Sequence, residues 1–414
     1  MATSGLQGQI ATDTNAVTRA SGRQKWHDKY SHLGTGPIAV APFVSQAQFE
    51  LERDRIFKKV WLHIGRVEQI PNTGDYFVKD LAVCNTSVIV SRGRDGSVNA
   101  FHNMCSHRGN KILWDEDGTC QNFTCKFHGW SYGLDGQLKF VPDEESFFDL
   151  KKKRLGMTPV AVGVWEGFIF INLDPQESLT DYLGEFSSGL EGYPFDEWSQ
   201  TCFSWKTELK ANWKVVKDAF QEVYHVAFLH RNALPDIFNS SENPFSHALD
   251  FTLFPKHVRA SLYGNPEHQP APVEALAYKH GSLIIRNDYS TDHLPPGVNA
   301  TRSKTWSLDL NVIFPSFFLD VSDGTYFTHH MWPLAVDRTV WEVHVYMPEA
   351  KSPAHRFSQE YSKIITRDGL MEDGRTLEET QAMLGSGAKQ EFVLQDEELL
   401  VRHSHHVIQQ MIRD

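Results

Sequence analysis

The sequence predicts an α+β protein: an all-β domain followed by an antiparallel sheet flanked by helices. Three observations carry this expectation. From about Val60 to Leu173, short apolar alternations such as "DYFVKDLAV", "SVIVSR" and "GFIFINL" are broken by Gly, Asp and Asn, the period of strands. The turns "RGRDGS" and "LDGQ" carry the Asp-Gly chemistry of hairpins. After "LDPQESLTDYLGEF" the texture changes. "NWKVVKDAFQEVYHVAFLH", Asn212 to His230, is helical in period, and strands return in "TWSLDLNVIF", "SFFLDV", "TYFTHHMWPL" and "TVWEVHVYMP". From Pro353 onward the pattern is helical again. Strands and helices in separate runs indicate α+β architecture. The Pro- and Gly-rich stretch from Leu234 to Val298 fits neither period.

Length and composition bound the rest. At 414 residues the chain suggests two domains. Its 41% apolar and 22% charged residues suit a globular protein. A net charge of −12, from 52 acidic and 40 basic residues, argues against nucleic acid as the main partner. No run of 18 apolar residues appears, so no membrane span is expected. The opening "MATSGLQGQIATDTNAVTRASG" lacks the apolar core of a signal peptide. It reads as a polar, mobile arm, residues 1–40, able to dock on a neighbouring subunit. A helical lead-in to the second domain follows at 41–57, then the all-β domain at 58–173 and the second domain at 174–414. Five cysteines (Cys84, Cys105, Cys120, Cys125 and Cys202) do not form a disulfide pattern, so a cytoplasmic location is expected.

Two of those cysteines sit in motifs that carry chemistry. "FHNMCSHRGN" contains Cys105-x-His107, and "CKFHGW" contains Cys125-x-x-His128, with 17 residues between His107 and Cys125. Two thiols and two imidazoles suit a zinc ion, an iron–sulfur cluster, or nothing beyond core cysteines and surface histidines. Zinc fingers usually space each pair as Cys-x2–4-Cys and His-x3–5-His, whereas here each loop donates one of each. In a Rieske [2Fe–2S] centre two cysteines hold one iron and two histidines the other, and this arrangement fits closely.

At this point the sequence resembles a known family. "CSHRGN" followed by "CKFHGWSY" is similar to the Rieske domain in the large subunit of aromatic-ring-hydroxylating oxygenases. Respiratory Rieske proteins carry an additional cysteine in each loop, and those positions are Asn110 and Phe127 here. Cys105, His107, Cys125 and His128 are then the expected cluster ligands, and residues 58–173 the Rieske domain. A ferredoxin would stop near residue 170, and this chain continues.

The second domain holds Glu222-x-x-His225-x4-His230. Two histidines and a carboxylate on Fe(II) leave positions open for dioxygen. Residues five apart lie about 500° around an ideal helix, roughly 140° apart in direction. The helix must therefore break or carry a π-bulge if both histidines bind one metal. Read alone, the pair fits one buried and one exposed histidine on an amphipathic helix.

"NWK…F…E-x-Y-H…H" also resembles the family's catalytic-domain signature, which implies that His225 and His230 bind a mononuclear iron. Glu222 matches an acidic residue that bridges this site to a Rieske histidine, His107 or His128, of the neighbouring subunit. The family's third ligand is an acid near the C-terminus. In "MEDGRTLEETQAMLGSGA" the match falls on Asp373, with Glu372 as its nearest competitor. Without the family, Asp373 is also explained as a charge favoured at a helix N-terminus.

The resemblance implies a helix-grip catalytic domain and a terminal oxygenase component. Electrons from NAD(P)H would arrive through a separate reductase, with or without a ferredoxin. They would pass from the [2Fe–2S] cluster to mononuclear Fe(II), which uses dioxygen to dihydroxylate an apolar, aromatic substrate. Monooxygenation, including N- or O-demethylation, is the alternative with the same metals. A head-to-tail homotrimer or an α3β3 assembly is expected. Asp218, Ala219, Phe220, Val226 and Phe228 lie near the iron by sequence, and Phe314, Phe317 and Phe327 lie on strands expected to line a cavity. "RHSHHV" (Arg402 to Val407) reads as surface. "KKKR" (Lys151 to Arg154) reads as a solvated loop or a docking patch for an acidic electron carrier.

Overall fold

The computed structural model describes residues 25–199, 202–281 and 291–413. Its first domain is built of small antiparallel sheets. Strands Thr86–Arg92 and Asp75–Leu81 form the centre of one, with Val98–His102 and Asp117–Thr119 at its edges. A three-stranded meander, Asn122–Thr124, Ser131–Gly133 and Leu138–Phe140, holds the second. These two sheets share a core of Ile89, Phe101, Phe123, Trp130 and Tyr132, separate from the main core of the molecule. A third sheet joins Leu62–Arg66 to the hairpin Ala161–Trp165/Phe168–Asn172 and ties the domain to that main core.

The second domain is a seven-stranded antiparallel sheet: β1 (Cys202–Leu209), β2 (Asp250–Leu253), β3 (Val258–Tyr263), β4 (Trp306–Ile313), β5 (Phe317–Val321), β6 (Tyr326–Ala335) and β7 (Arg338–Tyr346). Its spatial order is β1-β7-β6-β5-β4-β3-β2. Four helices concern the site: α1 (Trp213–Ala219), α2 (Val226–Leu229), α3 (Pro353–Gly385) and α4 (Leu399–Arg413). Part of the Leu234 to Val298 stretch that fitted no period forms β2, β3 and a helix, Pro272–Lys279; its residues 282–290 lie outside the described residues.

Alternation along the strands gives the sheet two distinct faces. The outer face meets the first domain: His330 on β6 packs Nε2 against His63 Nδ1 at 2.8 Å, and Lys79 donates to Glu342 at 2.8 Å. Phe317 stacks on His63 from this face, with ring centroids 4.0 Å apart. It therefore belongs to the domain interface and not to a cavity wall as its sequence suggested. The inner face carries residues of opposite parity, including Phe318, Phe327, His329 and Trp341, and α1 lies against it: Phe220, one residue past α1, stacks on Trp341 at 4.9 Å.

Residues 41–57 are helical, ending in a π-turn at Arg53–Phe57. Glu52, fully buried there, accepts from Lys214 Nζ at 2.6 and 2.7 Å and from Trp213 Nε1 at 2.8 Å. The lead-in thus anchors α1 directly.

Two further sequence expectations change. Of the mobile arm, residues 1–24 lie outside the described residues, but residues 25–40 are packed. Trp26 and His27 N–H groups donate to Asp396, and Ile38–Ala39 pairs antiparallel with Glu391–Phe392. Nor is "RHSHHV" surface: Arg402, His403, Ser404 and His405 are buried on α4. His405 Nε2 lies 2.6 Å from Asp218 Oδ2, and Lys217 reaches the Ser404 hydroxyl. A run so rich in polar residues reads as exposed; partners on α1 stabilise the burial of Ser404 and His405, and the Gly36 and Leu394 carbonyls that of Arg402. No described helix is long and apolar enough to cross a membrane.

Candidate metal centres

The two Cys/His loops fold alike although their spacings differ. Cys105 N–H donates to Asn110 C=O at 2.8 Å and Gly109 N–H to Cys105 C=O at 2.9 Å. Cys125 N–H donates to Trp130 C=O at 2.9 Å and Gly129 N–H to Cys125 C=O at 3.0 Å. Each loop closes through a glycine with positive φ, 78° at Gly109 and 73° at Gly129, a conformation that disfavours a side chain. The two turns are equal in length, and the histidine sits two residues after the cysteine in the first and three after it in the second.

Both cysteines are buried, and polar groups attend their sulfurs. Ser106 N–H donates to the Tyr132 hydroxyl at 3.0 Å, which leaves that hydroxyl to donate to Cys105 Sγ at 3.2 Å. Asn110 Nδ2 lies 3.7 Å from Cys125 Sγ. Burial pushes the Cys105 thiol up. At Cys125 burial is outweighed by N–H donors from Phe127 and Asn110, and the thiol is held below its ordinary value. His107 stacks on Trp130 at 4.9 Å, and its ring centroid is 4.6 Å from that of His128. Its Nδ1 is buried without a hydrogen-bond partner, an orphaned donor atom of the kind that a bound metal satisfies. Among the described residues, these four do not gather their ligand atoms around a single ion, whereas another triad does. Paired thiols beside paired imidazoles fit a two-iron cluster better than one zinc.

That other triad is His225, His230 and Asp373, whose ligand atoms lie within 4.8 Å of one another. The geometric condition from the sequence is met by a break: α1 stops at Ala219, and the two histidines flank the single turn α2. Their Nε2 atoms approach to 3.2 Å. Asp373 places Oδ1 3.6 Å from His225 Nε2 and Oδ2 3.5 Å from His230 Nε2. Asp373 is not at a helix N-terminus but mid-way along α3, on a buried stripe with Gly369, Leu377 and Gln381, four residues apart and so on one face. Gln381 Oε1 accepts from Asn212 N–H at 2.9 Å, which sets α3 against the start of α1.

The remaining nitrogens are held by carboxylates. Glu222 bonds His225 Nδ1 and accepts from the N–H groups of Tyr224 and, at 3.1 Å, His225. Glu372 Oε2 lies 2.9 Å from His230 Nδ1. The two neighbouring acids of the "MED" run therefore take different places: Asp373 faces both Nε2 atoms, and Glu372 orients His230. Sequence reasoning treated Glu372 only as a competitor, although two adjacent acids on a helix point in different directions. It also missed Tyr132 and Asn110 at the sulfurs, for which spacing offers no signal.

Electrostatics match a site built for a cation. Burial raises Asp373 to about 7, with Glu222 and Glu372 adding to the rise and His225 opposing it. Burial lowers His230 despite Glu372. At His225 the Glu222 hydrogen bond overcomes burial and raises it. A divalent ion would offset the clustered negative charge and take two neutral imidazoles and one carboxylate.

The comparisons with known proteins agree with this geometry. The profile of the Rieske [2Fe-2S] domain matches residues 60–158, and that of the ring hydroxylating alpha subunit (catalytic domain) matches residues 195–414. The large oxygenase component of the naphthalene 1,2-dioxygenase system of Pseudomonas aeruginosa is 36% identical over 203 residues, 45% of this chain and 42% of that protein. The glycine betaine monooxygenase oxygenase subunit of Pseudomonas aeruginosa is 33% identical over 246 residues, 59% of this chain and 54% of that protein. The matched segments thus span about half the length of these relatives. The quaternary ammonium Rieske monooxygenase CntA shares the fold, with a TM-score of 0.70 at 19% identity over 93% of this chain and 98% of its own. By sequence profile and by the pairing of its two domains, the chain belongs to the ring hydroxylating alpha subunit family, with a Rieske [2Fe–2S] domain preceding the catalytic one.

Proposed function

We propose that the chain is the terminal oxygenase component of a multicomponent system. In it, NAD(P)H electrons reach Cys105, His107, Cys125 and His128 through a reductase, with or without a ferredoxin. The observation that carries this reading is the convergence of His225, His230 and Asp373 on one point. A mononuclear Fe(II) held there supplies dioxygen activation, and a [2Fe–2S] cluster at the loops supplies single electrons.

The chain's own residues set the conditions for that chemistry. His225 and His230 offer neutral Nε2 atoms because Glu222 and Glu372 hold the protons at Nδ1. Asp373 contributes one carboxylate and leaves the opposite side of the triad to substrate. The sheet's inner face is apolar at Leu308, Leu310 and Phe318, the wall we assign to an apolar substrate body.

Glu222 is the bridge between centres. Its carboxylate already holds His225, and in a head-to-tail homotrimer or α3β3 assembly its second contact would be His107 or His128 of the partner subunit. The half-buried histidines sit among exposed Met104, Trp114 and Phe127, an apolar rim suited to burial in such a contact. "KKKR" is partly neutralised in its own turn, Lys151 by Asp149 and Lys152 by Glu144, which weakens it as a docking patch.

Dihydroxylation of an aromatic ring is the leading reaction. The aromatic inner face of Phe220, Phe318, Phe327 and Trp341 supports it. Monooxygenation is the second reading, favoured by the 33% identity to a betaine monooxygenase subunit. A single turnover of the reduced holoprotein under 18O-labelled dioxygen separates them. Two labelled atoms in one product establish dioxygenation; one, or release of formaldehyde, establishes monooxygenation. Substrate-independent consumption of dioxygen with no labelled product, across aromatic acids, polycyclic aromatics and methylated amines, would count against an oxygenase of either kind.

A further inference from the structure

Two kinds of donor reach the sulfurs of the Cys/His loops. Backbone N–H groups face them from their own loops, that of His107 at Cys105 and those of Phe127 and His128 at Cys125. These donors come with the turn, whatever side chain the residue carries. Asn110 is different. It closes the first loop, and its side chain reaches the sulfur of the second.

Three contacts fix this residue. Its C=O accepts Cys105 N–H at 2.8 Å. Its Nδ2 donates to Lys111 C=O at 2.8 Å and lies 3.7 Å from Cys125 Sγ. A carbonyl only accepts, so the Lys111 contact settles which end of the amide points inward. One amide hydrogen serves that carbonyl, and the second is left for the sulfur. Cys125 is 1% exposed, so water does not stand in for the amide.

We propose that Asn110 sets the reduction potential of the cluster held at Cys105, His107, Cys125 and His128, by donating its amide N–H to the Cys125 sulfur. This rests on the reading of those four residues as the cluster ligands. One electron from the reductase or ferredoxin adds one negative charge to the centre. No bond breaks, and Asn110 keeps its proton. Part of the added charge falls on the ligand sulfurs, and a donor fixed beside one of them stabilises the reduced form over the oxidised form. Asn110 thereby makes the centre easier to reduce and lowers the driving force for passing the electron on to the triad. Neither cysteine motif contains this residue, and its partner sulfur lies 15 residues away.

A redox titration of the full-length holoprotein, followed by its Rieske EPR signal, tests this without any substrate. Asn110→Leu keeps the side-chain volume and removes both amide hydrogens. It should lower the equilibrium constant for one-electron reduction about tenfold, a shift of about 59 mV. Asn110→Asp, of the same shape and without the donor, should lower it as well. Resonance Raman adds a readout that a purely structural role would not move. The Fe–S stretching bands of the wild-type protein should shift on exchange into D2O, and N110L should show a smaller shift. An unchanged or raised potential in N110L with its EPR signal intact would overturn the proposal. If N110L does not hold the cluster, the potential of N110D decides in the same way. Loss of the cluster from both variants would make Asn110 a loop-closing residue and overturn its tuning role. A wild-type protein without a Rieske signal would instead remove the assignment of the four ligands.

Discussion

At the scale of single residues, the site depends on which carboxylate meets which nitrogen. Asp373 faces both Nε2 atoms, and Glu372 reaches only His230 Nδ1. Asp373→Ala should therefore abolish mononuclear iron binding, while Glu372→Ala should retain the iron with affinity or turnover reduced about 10–100-fold, the usual effect of losing an orienting partner. Titration of the apo triad with Fe(II) in each variant checks this. The candidate cysteine and histidine ligands stand out in the sequence because Cys-x-His, Cys-x-x-His and His-x4-His are local patterns. Their orienting groups do not: Tyr132 lies 27 residues from Cys105, and Glu372 lies 142 from His230. Contacts at such separations are created by the fold and leave no periodic trace.

At the scale of elements, α1 is the part on which the site turns. Beside Trp213, Val215 and Val216 it buries two lysines, with Lys214 fixed by Glu52, Lys217 by Ser404 and the flanking Asp218 by His405. Glu52→Ala would leave Lys214 charged and unpaired in the core. A loss of about 3–5 kcal/mol is expected, read as a lower urea midpoint with an unchanged slope. Changing Glu52 and Lys214 together to Leu and Met should cost far less. This polar pairing between helices is why α4 looked exposed. Period-based reading assumes that charge faces water, and here charge on one helix satisfies charge on another.

Acid sensitivity also belongs to the elements. His257 on the loop before β3 donates Nε2–H to Tyr182 C=O at 2.7 Å and accepts Phe314 N–H at Nδ1 at 3.1 Å, which fixes a neutral ring. Burial lowers His257 to about 4 and His403 on α4 to about 4. Unfolded histidine titrates near 6.5, so between these values the unfolded chain binds more protons. Stability should thus fall as pH drops below about 6.5 and stop falling from this source near 4. Between pH 6.5 and 5.5 the two rings together should cost roughly 2 kcal/mol or somewhat less, seen in urea unfolding of the apoprotein. His257→Gln should flatten that slope. A midpoint that is flat over this interval would show that the rings are not held neutral.

At the scale of the whole molecule, the proposed route between the two centres needs more than one copy of the chain. The cluster loops expose an apolar rim, and Glu222 meets His225 within the chain while its proposed second partner lies in another. Cys105→Ser lacks the cluster, and His225→Ala lacks the iron. Each should be inactive alone. Coexpressed in equal amounts, random mixing in a head-to-tail ring places an intact iron beside a neighbour's intact cluster at about a quarter of all sites. Mixed oligomers should recover about that fraction of wild-type activity; no recovery would place electron transfer within one chain. The division into an all-β domain and a sheet-and-helix domain was legible from strand period and turn chemistry. How the domains meet, through His63, His330 and Phe317, was not, because outer- and inner-face residues of one strand look alike in sequence.

The most direct test of the two-centre account is iron stoichiometry with the Rieske spectrum measured on the same sample. The reconstituted protein should hold about three irons per chain, two in the cluster and one at the triad. His225→Ala should hold about two, with the Rieske absorption and EPR signal intact. Retention of the third iron in that variant, or loss of the Rieske signal with it, would contradict the assignment of the two sites.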